Sequence, residues 1–112
     1  MAIMEYFYRK SEKKMTEDDA FRLQAQAMKA LASEARLKII NRLSRGRSTV
    51  GELTRFVGLD QSTVSKHLSL LKAQSVVRDR RKGNNVYYEL FTPCVMNFFS
   101  CAMQLLQERR GQ

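Results

Sequence analysis

The sequence has few of the residues from which enzymes and metal centres are most often built. One histidine, His67, and two cysteines, Cys94 and Cys101, occur in 112 residues. That supply offers no nucleophile-and-base arrangement and no ligand cluster, which argues against a small enzyme and against a constitutive metal cofactor. His67 lies beside the helical stripe of Val64 and Leu68 and reads as a packed helix residue rather than a ligand or base. No apolar run approaches the roughly 20 residues needed to span a bilayer, and no signal-type start is present. A cytoplasmic protein with no membrane partner is therefore expected, its thiols reduced at the outset. Internal repeats, low-complexity stretches and a dividing linker are missing too. One domain over residues 16–112 is expected, preceded by an N-terminal arm over residues 1–15. The arm, MAIMEYFYRKSEKKM, mixes aromatics with lysines and reads either as a frayed tail or as a short extra helix packing on a partner.

Acids are also scarce. Eleven aspartates and glutamates face 20 lysines and arginines, a net charge of +9. Clustered cations release condensed counterions when they meet phosphates, so a polyanion is the partner to look for. A 44% apolar fraction is ordinary for a folded domain, and 28% charged residues fall short of a disorder signature.

Thr16 followed by Glu17, Asp18 and Asp19 marks a first helix start, and Phe21, Ala25, Met28 and Ala32 recur after it at helical spacing. Ser33 caps a second helix in SEARLKIINRLSRG, with Leu37, Ile40 and Leu43 as its buried stripe and Gly46 at its stop. Thr49 and Glu52 are spaced as a capping box, which predicts a short third helix to about Val57, ended by Gly58. Asp60 or Ser62 caps a fourth helix that carries Val64, Leu68 and Leu71 on one face and Ser62, Lys66, Ser69 and Ala73 on the other. Two short helices joined through a glycine-containing turn form the helix-turn-helix pattern.

Beyond Ser75 the period changes. VVRDRRK and VYYEL, separated by Gly83, Asn84 and Asn85, predict a β-hairpin. Its first strand and tip set Arg78, Arg80, Arg81 and Lys82 against only Asp79, concentrating positive charge where a wing lies along a DNA backbone. Thr92 and Pro93 predict a cap and first turn for a last helix from Cys94 to about Glu108. At 100° per residue its apolar arc, from Leu105 and Phe98 through Val95 to Met96, covers about 200°, wider than one packing surface needs. That width predicts a helix shared between its own core and a second subunit. Cys94 and Cys101 lie at the edge of this arc, seven residues and about 10.5 Å of rise apart, beyond the roughly 4 to 7 Å of a disulfide. They either meet after the helix start unwinds or pair across an antiparallel dimer.

LxxExRLKII, VGEL, QSTVSKHLSLL and a basic hairpin ending in VYYEL follow one another in order, and over residues 28 to 90 the chain resembles the ArsR/SmtB family. The resemblance implies a mainly α winged helix-turn-helix fold with a small β-hairpin wing, a homodimer joined through the terminal helix, and a repressor of transcription that binds double-stranded operator DNA. It implies that Gln61, Ser62, Thr63, Ser65 and Lys66 face the major groove, in agreement with the helical wheel, while Arg78, Arg80, Arg81 and Lys82 grip phosphates. Ser75 departs from the family, which commonly has glycine there. The family's two usual zinc sites are excluded: the third helix, GELTRFVG, has no cysteine and no histidine follows His67. Cys94 and Cys101 remain as candidate ligands. Soft thiolates suit arsenite, antimonite or a soft metal ion as inducer, and equally oxidation or persulfide chemistry. A regulator with no thiol sensor, and a protein-interaction module built on the arm and terminal helix, are the other readings.

Overall fold

The computed structural model describes residues 15–111; the predicted arm at 1–15 therefore lies, apart from Met15, outside the described residues. In chain order they form α1 (Glu17–Leu31), α2 (Glu34–Leu43), β1 (Ser48–Thr49), α3 (Val50–Val57), α4 (Gln61–Ala73), β2 (Val77–Lys82), β3 (Asn85–Leu90), a 3-10 turn (Pro93–Val95) and α5 (Met96–Gly111). The fold is a helical core with a three-stranded antiparallel sheet in the order β1-β3-β2. β1 was not foreseen: two residues carry no periodicity, and Ser48 and Thr49 are strand only because Tyr88 and Tyr87 stand opposite.

The helix starts follow capping chemistry. Thr16 Oγ1 accepts from the Asp19 backbone N–H at 3.0 Å while Asp19 Oδ2 accepts from the Thr16 N–H at 3.1 Å. Thr49 and Glu52 repeat this box at α3, and at α4 the cap is Asp60 rather than Ser62. Gly58, with φ of 80°, ends α3 in the left-handed region and lets the chain turn into α4.

The core gathers Ile39, Ile40 and Leu43 of α2, Leu53 of α3, Val64, Leu68 and Leu71 of α4, Val76 and Val77 at the sheet, and Val95. All three predicted stripe residues of α4 are fully buried. Elsewhere the predicted stripes need correction. In α1 the buried positions are Ala20 and Ala30, while Phe21 and Met28 are more than half exposed. Ile39 replaces Leu37 in the buried stripe of α2. Periodicity registers that a helix has an apolar face without saying whether that face meets its own core or another surface.

The C-terminal part departs further. Thr92 stands at the N-cap of the 3-10 turn with Pro93 in its first turn, but its side chain makes no cap bond; its hydroxyl donates to the Ser75 carbonyl at 3.3 Å, tying the end of the hairpin to the end of α4. Cys94 sits in the 3-10 turn, just before α5 begins at Met96. Val95 is buried and Met96 and Phe99 pack partly on the core, but Phe98, Met103, Leu105 and Leu106 are exposed, Leu105 to 63%. The chain measures 46 × 41 × 21 Å with a radius of gyration of 16.1 Å, against about 13 Å for a compact domain of some 100 residues. No helix among the described residues is long and apolar enough to cross a membrane.

Candidate nucleic-acid interface

Burying Val64, Leu68 and Leu71 leaves the opposite side of α4 in solvent, and Gln61, Ser62, Lys66 and Ser69 are exposed there. Thr63 and Ser65 are half-buried at its flanks, so the predicted groove-facing residues do share one end and one side of the helix. The short α3, held to α4 through Gly58, fixes how far α4 projects.

Asp60 organises the start of α4 more fully than a cap requires. Its Oδ2 accepts from the Thr63 backbone N–H at 3.2 Å and from the Ser62 hydroxyl at 2.5 Å, and its Oδ1 accepts from the Thr63 hydroxyl at 2.6 Å. The Ser62 hydroxyl first, then that of Thr63, pulls the carboxyl down to about 2, so it is ionised wherever the protein is folded and in use.

The hairpin is a two-residue loop, Gly83-Asn84, with Lys82 paired to Asn85. Positive φ falls on Gly83, at 65°, and not on Asn84, the pattern of a type II′ turn. The three-residue loop expected from Gly83, Asn84 and Asn85 shifts the register by one. In the observed register Arg78 stands opposite Glu89, and Glu89 Oε1 accepts from Arg78 Nε at 2.6 Å and forms an ion pair with Arg80 Nε at 2.8 Å. The wing cations are thus balanced by Glu89 as well as Asp79. Arg78, first among these neighbours, holds the Glu89 carboxyl below its ordinary range.

Strand alternation sorts the predicted phosphate contacts by side. Arg78, Arg80 and Lys82 share one side with Glu89, and Arg47 joins them there with its guanidinium 4.6 Å from the centre of the Tyr87 ring. Arg81 shares the other side with Asp79, which pairs with Lys72 of α4 at 2.9 Å. That contact links the hairpin to α4 and holds Asp79 below its usual range while raising Lys72. Arg47, Lys72 and Glu89 were missed by sequence reasoning. Glu89 becomes visible once the loop is counted as two residues; Arg47 requires the pairing of β1 with β3, and Lys72 the packing of helix on hairpin.

Cys94 and Cys101 are both exposed free thiols. The 3-10 turn between them rises more steeply than an α-helix, so their separation along the axis grows to about 11 Å. No group of three or more His, Cys, Asp or Glu side chains that could hold a metal ion occurs among the described residues.

Comparison with known proteins agrees with this geometry. The profile of bacterial regulatory proteins of the arsR family matches residues 33–79, from the cap of α2 into the wing. The transcriptional repressor SmtB homolog of Synechocystis is 37% identical over 84 residues, 75% of this chain, which spans 64% of that relative's length. The HTH-type transcriptional regulator Rv0081 of Mycobacterium tuberculosis is 33% identical over 93 residues, 82% of each chain. Among solved structures, the homodimeric winged helix-turn-helix DNA-binding domain of Mb0332 from Mycobacterium bovis superposes with a TM-score of 0.75 at 26% identity, covering 88% of this chain and 92% of that one. The AntR antimony-specific transcriptional repressor gives 0.69 at 29% identity over 92% and 93% of the two chains.

Proposed function

Because the chain belongs to the ArsR family of bacterial regulatory proteins, we propose that it is a transcriptional repressor, that it binds operator DNA as a homodimer, and that a thiol-directed signal at Cys94 and Cys101 releases it. The observation that carries DNA binding is the exposed polar face of α4, backed by a fully buried stripe and flanked by a cationic hairpin. Gln61, Ser62, Thr63, Ser65 and Lys66 read the major groove, with Lys66 donating to guanine O6 and N7 or to a phosphate. Arg81 and Lys82 contact phosphates directly; Arg78 and Arg80 do so while sharing Glu89.

Dimerisation is supported by the apolar surface that α1 and α5 leave uncovered: Phe21, Leu23 and Met28 on one helix, Phe98, Met103, Leu105 and Leu106 on the other. Large apolar side chains gathered in solvent on a single chain are what an interface would cover. A two-fold axis through α5 sets two α4 helices into successive major grooves of a near-palindrome.

For the signal, two thiols in one chain do not make a closed site. A soft ion such as arsenite or antimonite normally takes three thiolates, and the roughly 11 Å of helical rise between positions 94 and 101 is too long for the thiols of one chain to share one atom. The arrangement that fits is Cys94 of one subunit near Cys101 of its partner, the set completed by water or a small thiol. Closing such a link changes the angle between subunits and hence the spacing of the recognition helices. The likeness to an antimony-specific repressor supports a metalloid inducer, while the exposure of both thiols supports oxidation or reactive sulfur equally well.

The test is operator retention in a gel shift against arsenite, antimonite, cadmium, zinc, peroxide and polysulfide. One of these is expected to release the wild type and to leave Cys94→Ser, Cys101→Ser bound. An unaltered response in the double mutant removes the thiols from the mechanism.

A further inference from the structure

The DNA-facing start of α4 contains two hydroxyls, and the structure fixes what each of them has left to offer. A serine or threonine hydroxyl has one hydrogen to donate and two lone pairs to accept with. The hydrogens of both Ser62 and Thr63 point to Asp60, one to each carboxylate oxygen. An ionised carboxylate accepts and never donates, so these bonds run in one direction only. Ser62 is exposed on the side of α4 that bears Gln61 and Lys66, and it therefore presents lone pairs, not a hydrogen, to whatever it meets.

We propose that Asp60 is a positioning residue for sequence readout: by holding the Ser62 hydrogen, it makes Ser62 an obligate acceptor that selects an amino base, adenine or cytosine, over a keto base. This rests on the DNA-binding reading above. In the major groove adenine presents its N6 amine and cytosine its N4 amine as donors, whereas guanine presents N7 and O6 and thymine presents O4, all acceptors. An acceptor facing guanine or thymine leaves two oxygens opposed with no hydrogen between them, which costs more than a lost contact. The same commitment bars Ser62 from donating to a phosphate. Phosphate binding is left to the lysines and arginines.

Two substitutions separate hydrogen-bond direction from charge. Both Asp60→Asn and Asp60→Gly remove the negative charge, and both residues are accepted at an N-cap. In Asp60→Asn the amide oxygen takes the Oδ2 place, where it accepts from the Thr63 N–H and from Ser62. The amide nitrogen then faces the Thr63 hydroxyl, so Ser62 stays an acceptor. In Asp60→Gly nothing holds the Ser62 hydrogen, and the hydroxyl is free to donate or accept.

The experiment selects binders from a randomised duplex library with the full-length wild type, Ser62→Ala, Asp60→Asn and Asp60→Gly, followed by affinity measurements on the selected duplexes. The position whose preference disappears in Ser62→Ala is the one Ser62 reads. There the wild type and Asp60→Asn are expected to favour adenine or cytosine by about fivefold or more, the cost of one mismatched contact, and Asp60→Gly by less than about twofold, with the remaining positions unchanged. A keto base at that position in the wild type, undiminished discrimination in Asp60→Gly, or no position altered by Ser62→Ala overturns the proposal. A wild type that recovers no sequence preference at all fails earlier, overturning sequence-specific DNA binding and this inference together.

Discussion

Ser75→Gly is expected to stabilise the protein, and the reason can be followed bond by bond. At the end of α4 the Ser75 N–H donates to the Lys72 carbonyl at 3.0 Å and the Val76 N–H to the Leu71 carbonyl at 3.0 Å. These are the two bonds of a Schellman motif, and its apolar contact is present as well, since Leu71 and Val76 are both buried. The motif demands a left-handed residue at Ser75, and its φ is indeed 60°. An L-residue with a β-carbon pays about 1–2 kcal/mol there, and glycine returns about 0.5–1 kcal/mol of that through its freer unfolded chain. The net gain is about 0.5–1 kcal/mol. The two helix-ending bonds are made by backbone groups, and the Thr92 hydroxyl meets the Ser75 carbonyl; none of the three uses the Ser75 side chain, so the substitution leaves them in place. At about 4–8 °C per kcal/mol for a domain near 100 residues, the midpoint rises by roughly 2–8 °C. Circular dichroism melts and urea titrations check this at one fixed subunit concentration, because a dimer's midpoint depends on it. Gly58→Ala is the mirror experiment: φ is 80° and nothing lies within 4 Å of an added β-carbon, so about 1–2 kcal/mol of backbone strain, less about 0.5–1 kcal/mol regained from the stiffer unfolded chain, leaves a net loss of about 0.5–1 kcal/mol. An unchanged or lower midpoint for Ser75→Gly, or no cost for Gly58→Ala, refutes the assignment of strain to these two positions.

Four further outcomes follow from the geometry. Leu105→Glu, at the most exposed apolar position of α5, is expected to shift sedimentation from dimer to monomer while the far-ultraviolet spectrum of the wing and core helices persists; a dimer of wild-type affinity contradicts the interface. Arg81→Ala is expected to reduce the slope of log affinity against log salt by about one phosphate contact, whereas Glu89→Gln, by freeing Arg78 and Arg80, is expected to steepen it and tighten binding to random duplex. Equal slopes in wild type and Glu89→Gln show that the pair is not a brake on the wing. The Asp60 carboxyl, drawn from an ordinary 3.8 to about 2 by Ser62 and then Thr63, stabilises the fold fully above its unfolded value and loses that contribution as pH falls through 2. The stability difference between wild type and Asp60→Asn is therefore expected to be flat above about pH 5 and to shrink between roughly pH 4 and 2, read from urea midpoints; a change near neutrality assigns it to another group.

Local chemistry made much of the candidate interface legible. Val64, Leu68 and Leu71 were found by spacing and are the buried face of α4, so Ser62, Lys66 and Ser69 had to face outward. The Thr49 and Glu52 box and the Gly58 stop defined α3 because capping depends on neighbours within one turn. The hairpin was found but misregistered by one residue, since Asn85 tolerates a loop as readily as a strand, and the error hid the pairing of Arg78 with Glu89. Thr92 looked like a cap because its competing partner, the Ser75 carbonyl, lies 17 residues away.

The order of the helices and the hairpin, the stops at Gly58 and Ser75, the charge of +9 and the polar face of α4 were thus determined by the sequence itself, through interactions between near neighbours in the chain. Which apolar residues join the core and which stay exposed on α1 and α5, how Lys72 fastens the wing through Asp79, and how Glu89 shares two arginines were decided only in three dimensions. Hydrophobic spacing measures how much surface an element must hide. What hides it, and which charge a side chain reaches, depends on segments that only folding brings together.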